Sequence, residues 1–209
     1  MSRIKSIRSS ISNKFSIIFK FDLWFISKVI KIRNKYLTFI LKSISRLSDW
    51  WFLTIVSVLV TILVSLELGL ALGIALIIQV VLQKIIKNIA TRKRPYIKYR
   101  TEIKRLIVPP DRYSFPSGHT AGAFVVFFVI SSFYLEVSMM ILPIAILIGF
   151  SRVYLGVHYL TDVIFGVLLG FISAELGKIL NSYVTGWVRQ IIPYLPHSLL
   201  YQVRCRVFV

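Results

Sequence analysis

The stretch that decides the fold reads KNIATRKRPYIKYRTEIKRLIVPPDRYSFPSGH and covers residues 87–119. It is polar and rich in lysine and arginine, yet apolar runs flank it on both sides. Within the stretch only Glu102 and Asp111 oppose these cations, so its positive charge is largely uncompensated. We therefore expect this segment to bind an anion.

The last four residues of the stretch mark the start of an apolar helix. Pro116 blocks helix continuation from the loop, Ser117 can serve as the N-cap, and Gly118 lets the backbone approach a ligand closely. Free N–H groups and the positive dipole end of a helix favour phosphate-sized anions. His119 would then lie within reach of whatever is bound.

Composition indicates an integral membrane protein. Hydrophobic residues make up 56% of the 209 residues and charged residues 16%, below the ~25% charged residues of soluble domains. Five stretches carry almost no charge, so we predict an all-α, multi-pass transmembrane helical bundle with about five spans. The stretches are residues 51–66, 68–83, 120–135, 137–151 and 163–174, the last extended to about residue 179.

The basic N-terminal region predicts a helix at the membrane surface. On one helix, five cations form a narrow stripe opposite aliphatic residues, with Arg33 as the exception. We interpret it as an interfacial helix on anionic lipid, or as an amphipathic helix packed on the protein; the two are compatible. The stripe comprises Lys28, Lys31, Lys35, Lys42 and Arg46.

Three regions follow from these patterns: a basic amphipathic segment at 1–48, a transmembrane domain with the candidate anion site at 49–182 and an amphipathic tail at 183–209. The net charge of +18 in a membrane chain points to anionic lipid and to topology, and no nucleic-acid module is present. The single cysteine, Cys205, excludes an intrachain disulfide. Oligomeric state is left open.

Span parity predicts that all the polar motifs share one membrane face. Almost no residues separate the spans around Glu67 and around Glu136, so each pair of spans should form an antiparallel hairpin. The N-terminus, the basic loop and the 152–161 link should then lie on the opposite face from these two turns.

Three segments on the shared face carry the candidate phosphate ligands. Lys87 and Arg94 are seven residues apart, so on a continuous helix they would project from one side, about 10 Å apart. Taken singly, both are typical of interfacial anchors. Arg152 adds a planar fork suited to two phosphate oxygens. Asp111 and Arg112 are expected to order the loop over the site.

Two histidines suggest a nucleophile and an acid. His158 and Asp162 are four residues apart at the start of the last helix, so the carboxylate can hold one ring N–H and leave the other nitrogen free. His158 is therefore the candidate nucleophile, forming a phosphohistidine that water attacks, and His119 is the candidate acid for the leaving oxygen. The eight acidic residues are scattered through the sequence, so we expect neither a metal nor a cofactor.

These residues form three motifs that resemble a known family. The motifs are Lys87 with Arg94–Pro95, then Pro116–Ser117–Gly118–His119, then Ser151–Arg152 with His158 and Asp162. In order and spacing they resemble the signatures of the type 2 phosphatidic acid phosphatase family. Vanadium haloperoxidases use a similar anion site in related, soluble folds. The resemblance implies a metal-independent helical membrane enzyme that removes phosphate from a lipid phosphate or pyrophosphate.

The same resemblance implies roles for individual residues. Its phosphate ligands would be Lys87, Arg94, Ser117, Gly118 and Arg152, with His158 as nucleophile, His119 as acid and Asp162 as the residue that orients the nucleophile. Undecaprenyl pyrophosphate, phosphatidylglycerol phosphate, phosphatidic acid and lipid A phosphate all fit such a site.

The resemblance also bears on location. It implies a bacterial cytoplasmic membrane, commonly with six spans and an outward-facing site, whereas residues 1–20 here are too charged to span. The positive-inside rule would put the basic N-terminus and the site in the cytoplasm. Sidedness stays open.

Two other functions use the same site. A lipid phosphotransferase would pass the phosphohistidine phosphate to a lipid instead of water. A lipid-phosphate binding or transport protein would hold the anion without turnover, although five short spans without broken helices are not typical of transporters.

Overall fold

The structure is a computed structural model that describes residues 2–191, and the side chains of residues 17–187. These residues form helices, with only one isolated bridge, between Lys93 and Tyr113, so the all-α prediction is confirmed. The helices are α1 (Ser2–Lys31), α2 (Lys35–Arg46), α3 (Trp50–Leu63), α4 (Leu66–Ala90), α5 (Pro95–Lys98), α6 (Gly118–Ser131), α7 (Leu135–Tyr154) and α8 (Leu160–Ile191).

Helices occupy all five apolar stretches, as α3, α4, α6, α7 and α8. By length and composition, three helices in the described part of the chain can cross a membrane: α4, α7 and the Leu160–Trp187 portion of α8. The pair α2 and α3, bent by 52° at their junction, would add a fourth if counted as one span. α6 is apolar but has only 14 residues. The protein is thus a multi-pass membrane protein, with three to four candidate spans among the described residues against the five predicted.

α8 packs closely against both α4 and α6. A side-chain carbon added at Gly177 would lie 2.5 Å from Ala75 Cβ of α4, and one at Gly170 would lie 2.7 Å from Ala121 O of α6. Small residues allow such close helix approach inside a membrane, where dispersion contacts drive association. This packing places the start of α8, which carries Asp162, beside the last turn of α4 and the first turn of α6.

The two short turns lie together at the far end of the bundle. Asn181 Nδ2 donates to Glu67 O at 3.1 Å, and Lys178 Nζ donates to Ser132 Oγ at 2.7 Å. Glu67 and Glu136 fall in the first turns of α4 and α7, just after the turns themselves, where carboxylates complement the helix dipole.

A break divides the single amphipathic helix expected over residues 26–46. It covers residues 32–34, and Asn34 takes the N-cap position of α2. Arg33, the cation outside the predicted stripe, donates from Nε to Tyr154 O at 2.9 Å. The break therefore turns this arginine toward the carbonyl end of α7, where unpaired carbonyls accept hydrogen bonds.

The last helix is longer than expected. α8 continues to Ile191, well past residue 179 where we ended the span, so the predicted tail at 183–209 begins inside this helix. Residues 192–209, including Cys205, lie outside the described residues.

Candidate active site

The predicted motifs come together at one end of the bundle, where α4 and α7 end and α6 and α8 begin. Lys87 and Arg152 lie in the last turns of their helices, and Asp162 lies in the first turn of α8. Between the helices, Arg94 Nη1 lies 3.1 Å from His158 Nε2. The residues that the sequence assigned to three separate motifs therefore occupy one site.

Lys87 and Arg94 do not project from one helix, so that part of the prediction is wrong. α4 ends at Ala90, and Thr91 takes the left-handed backbone conformation with φ 45°. Arg94 is extended, with ψ 154°, as the residue before a proline prefers. The chain leaves the helix before Arg94, and the arginine reaches the site from a loop.

Both cations nevertheless bind the same acceptor, Asp111. Lys87 Nζ donates to Asp111 Oδ2 at 2.6 Å, while Arg94 donates to Oδ1 at 2.8 Å and to the backbone oxygen at 3.0 Å. Burial alone would raise the pKa of the Asp111 carboxyl, but the hydrogen bond and charge of Lys87 lower it below its usual value. The two cations thus converge on a single anionic group.

The contact with Arg94 fixes the protonation of His158. A guanidinium only donates hydrogen bonds, so Nε2 of His158 must accept and carries a lone pair. Arg94 itself is buried and is held by a second bond from Nη1 to Val157 O at 2.9 Å. Burial, followed by the charges of Arg94 and Arg152, holds the pKa of His158 well below its usual range. The imidazole is therefore neutral, and its Nε2 can attack an electrophile once the hydrogen bond from Arg94 is released.

Asp162 lies on the other side of the same imidazole. Its Oδ2 is 3.5 Å from His158 Nδ1, close but longer than a good hydrogen bond, and it accepts from Tyr159 N at 2.9 Å. Its Oδ1 accepts from Arg92 Nη1 at 2.5 Å. The carboxylate is thus held on both oxygens while one of them faces the histidine.

His119 has a carboxylate partner from a distant part of the chain. Its Nε2 lies 3.0 Å from Asp49 Oδ1, at the N-cap position of α3. A carboxylate beside an imidazole stabilises the protonated ring. Burial, followed by the charge of Arg152, outweighs this effect and lowers the pKa of His119 to about 4. The acid role of His119 therefore stays a prediction.

The remaining predicted ligands are packed tightly. Ser117 is the N-cap residue of α6, but its hydroxyl bonds Thr120 Oγ1 at 2.8 Å instead of capping the helix. A side-chain carbon at Gly118 would lie 2.3 Å from Gln83 Oε1, so the end of the Gln83 side chain would have to move to admit one. Arg152 is buried and donates from Nη1 to Ser45 Oγ of α2 at 2.5 Å, which ties α2 to the site.

Sequence reasoning missed three contributors to this site: Asp49, Ser45 and Arg92. Asp49 and Ser45 come from the α2–α3 region, far along the chain from His119 and Arg152, which they respectively contact. Arg92 lies inside the first motif, where basic residues crowd together and none is distinguished by spacing. Among the described residues, no group of three or more His, Cys, Asp or Glu side chains could hold a metal ion.

Comparison with known sequences connects this site to a family. The sequence pattern of the PAP2 superfamily matches residues 65–184. Phosphatidylglycerophosphatase B of Bacillus subtilis (strain 168) is 40% identical over 83 residues, 34% of this chain and 41% of that protein. Bacitracin transport permease protein BcrC of Bacillus licheniformis is 40% identical over 72 residues, 34% of this chain and 36% of that protein. The matched segments span about two fifths of these relatives.

Two crystal structures have a similar fold. Aquifex aeolicus LpxE superposes with a TM-score of 0.67 and 28% identity, covering 74% of this chain and 93% of that one. The first transmembrane PAP2 type phosphatidylglycerolphosphate phosphatase from Bacillus subtilis superposes with a TM-score of 0.63 and 25% identity. The match covers 81% of this chain and 96% of that one. Since the matched pattern covers more than half of the chain and contains every motif from Lys87 to Asp162, the protein belongs to the PAP2 superfamily.

Proposed function

We propose that the protein is a metal-independent lipid phosphatase that acts on a phosphate monoester or pyrophosphate of a membrane lipid. The observation that carries the proposal is the His158 imidazole, neutral and with its Nε2 lone pair directed at the Arg94 guanidinium. A nucleophile and a phosphate-binding cation therefore adjoin the same space, as phosphoryl transfer requires.

The reaction has two steps. His158 Nε2 attacks phosphorus, a P–N bond forms, the bond from phosphorus to the leaving oxygen breaks, and His119 protonates that oxygen. Water then attacks the phosphohistidine and gives a proton to His119, and the P–N bond breaks. This step releases inorganic phosphate and restores the neutral His158 and the protonated His119. Lys87, Arg94 and Arg152 would stabilise charge on the phosphoryl oxygens, together with Ser117 and the Gly118 N–H.

The His158 ring gains a positive charge during the first step, and the Asp162 carboxylate stabilises that charge. As Nε2 bonds to phosphorus, the ring becomes cationic and its Nδ1–H acidifies. The Asp162 carboxylate, 3.5 Å from Nδ1, then stabilises the positive ring.

An apolar cleft supports a lipid substrate. It has a volume of about 90 Å³ and adjoins the residues that precede Ser117. A hydrocarbon chain lying there would stay in the bilayer while its headgroup reached the cations. The lining residues are Ile86, Phe115, Pro116, Phe165, Leu168, Leu169 and Ile172.

Phosphatidylglycerol phosphate is the first substrate to test, because the matched Bacillus subtilis phosphatase is named for acting on it, both as a sequence and as a solved structure. Undecaprenyl pyrophosphate, phosphatidic acid and lipid A phosphate complete the panel. We also propose that the protein resides in a bacterial cytoplasmic membrane and that the N-terminal basic helices bind anionic lipid there.

The test is phosphate release from this panel by purified protein in detergent with EDTA. We expect release from at least one lipid and its loss in His158→Ala. His119→Ala should lose far more activity on the lipid than on p-nitrophenyl phosphate, whose leaving group needs no proton. Full activity in His158→Ala would remove this histidine from the mechanism.

Labelled substrate separates the alternatives, of which transport is suggested only by the name of one relative. Label in solution indicates a hydrolase, and label moved to another lipid indicates a phosphotransferase. Binding without any acid-labile phosphate on histidine would favour a binding or transport protein.

A further inference from the structure

A buried carboxylate on the N-terminal helix contacts the first turn of α8. Asp22 of α1 is fully buried and accepts three hydrogen bonds. These come from Thr161 N at 3.0 Å, Thr161 Oγ1 at 2.6 Å and Arg92 Nη2 at 2.6 Å. A residue seventy positions before Arg92 thus joins the loop and helix that carry the catalytic motifs.

Arg92 lies between two carboxylates. Its Nη2 donates to Asp22, and its Nη1 donates to Asp162 Oδ1 at 2.5 Å and to Thr161 Oγ1 at 2.8 Å. Its guanidinium stacks over the Tyr159 ring, 4.1 Å from the centroid. Planar stacking and forked donation to two carboxylates are properties that lysine lacks.

The direction of the Asp162 carboxylate depends on this arginine. Arg92 binds Oδ1, so Oδ2 is the oxygen left to face His158 Nδ1, at 3.5 Å. His158 Nδ1 is buried and has no hydrogen-bond partner. The carboxylate must therefore be held in place for the moment when the ring becomes cationic, and a small rotation would lose the interaction.

We propose that Asp22 is a positioning residue for the nucleophile, acting through Arg92 and Thr161 on Asp162. This inference rests on the proposed function. Asp22 holds the second edge of the guanidinium and at the same time binds the backbone at the start of α8. α1 thereby becomes part of the catalytic unit, although it carries none of the three motifs.

Asp22→Asn tests the inference with little change of shape. The amide oxygen can still accept from Thr161 N, so the contact with α8 is kept, whereas the amide nitrogen cannot accept from Arg92. Ile26→Ala is the matched control, since it removes a buried side chain from the same helix without touching this network.

The measurement is a single turnover with enzyme in excess over labelled phosphatidylglycerol phosphate, or over the panel lipid that the wild type hydrolyses fastest. The rate constant reports the active site, whereas the amplitude of a thermal melt of the same preparation reports the fraction of folded enzyme. We expect Asp22→Asn and Arg92→Gln to slow the rate constant about 10- to 100-fold, since small misplacements of catalytic groups cost this much. Arg92→Lys should recover part of that loss.

Ile26→Ala should keep the wild-type rate constant even if its amplitude and melting temperature fall. A normal rate constant in Asp22→Asn, with only the amplitude reduced, would show a purely structural role and overturn the proposal. If Asp22→Asn does not fold, Thr161→Val is the variant that tests the proposal. We expect its single-turnover rate constant to fall about threefold. An unchanged rate constant in Thr161→Val would contradict the proposal. Inactive wild type, or active His158→Ala, would instead refute the proposed function itself.

Discussion

Replacing Arg94 by lysine separates charge from geometry at the phosphate site. The buried guanidinium makes four contacts on two sides: two with Asp111, one with Val157 O and one with His158 Nε2. A lysine ammonium keeps the positive charge but concentrates its donors at one point, so it can serve only one of the two sides. Arg94→Lys should therefore lose a preorganised donor to the phosphoryl group while the local charge stays the same.

The loss of one such donor costs about 2.7–4 kcal/mol in the transition state, a 10²- to 10³-fold fall in kcat. The assay is phosphate release at saturating lipid in detergent with EDTA, with a thermal melt of the same preparation. Arg100→Lys is the control, because it makes the same exchange at an exposed position in the neighbouring segment and should leave kcat unchanged.

A kcat within threefold of wild type in Arg94→Lys would show that charge alone suffices at this position. The reasoning from forked geometry would then be wrong, even if the phosphatase assignment held. A lower melting temperature with normal kcat would assign Arg94 to stability only.

Three further outcomes follow from the described contacts. Asp111→Asn removes the internal anion that engages Lys87, so inorganic phosphate should inhibit about tenfold more strongly in the release assay; unchanged inhibition would show that the carboxylate does not compete. Asp49→Asn removes the carboxylate beside His119, so the alkaline limb of kcat should move to lower pH and kcat at neutral pH should fall about tenfold. In a cysteine-free background, an impermeant maleimide should label only one of Val108→Cys and Glu136→Cys in intact cells; labelling of both would contradict the topology.

The gross arrangement of the site was predictable because it depends on short-range rules. His158 and Asp162 are close in the chain, and Pro116 and Ser117 mark a helix start by their own chemistry. Parity of the apolar stretches then placed these motifs on one face without any knowledge of packing. That face carries the contact between Arg94 and His158, which no single motif implies.

What the sequence did not predict depends on tertiary packing. α4 ends early because Thr91 adopts the left-handed backbone conformation. A β-branched residue rarely adopts this conformation, so the sequence did not mark the position as a glycine would have. This conformation is supported by the loop, where Ser114 N donates to Arg92 O at 2.8 Å. The partner of His119 is equally hidden, because Asp49 is seventy residues away and its position before two tryptophans is typical of an interface residue.

The acidic residues show that scattering along the sequence was an incomplete argument against a metal. We argued against a metal from their scattering along the sequence, yet the fold gathers all four aspartates at the same end of the bundle. Each one is bound by cationic or histidine side chains there: Asp22 and Asp162 by Arg92, Asp49 by His119, and Asp111 by Lys87 and Arg94.

A metal site needs several oxygens directed at one point, whereas these carboxylates are bound by the side chains of Arg92, His119, Lys87 and Arg94. Their pairing also explains how a chain with net charge +18 tolerates so many cations at the membrane edge. An arriving phosphate is also an anion, so it can exchange with Asp111 on Lys87 and Arg94 without leaving these cations unpaired. We therefore expect anion exchange at Asp111 to be the event that opens the site to substrate.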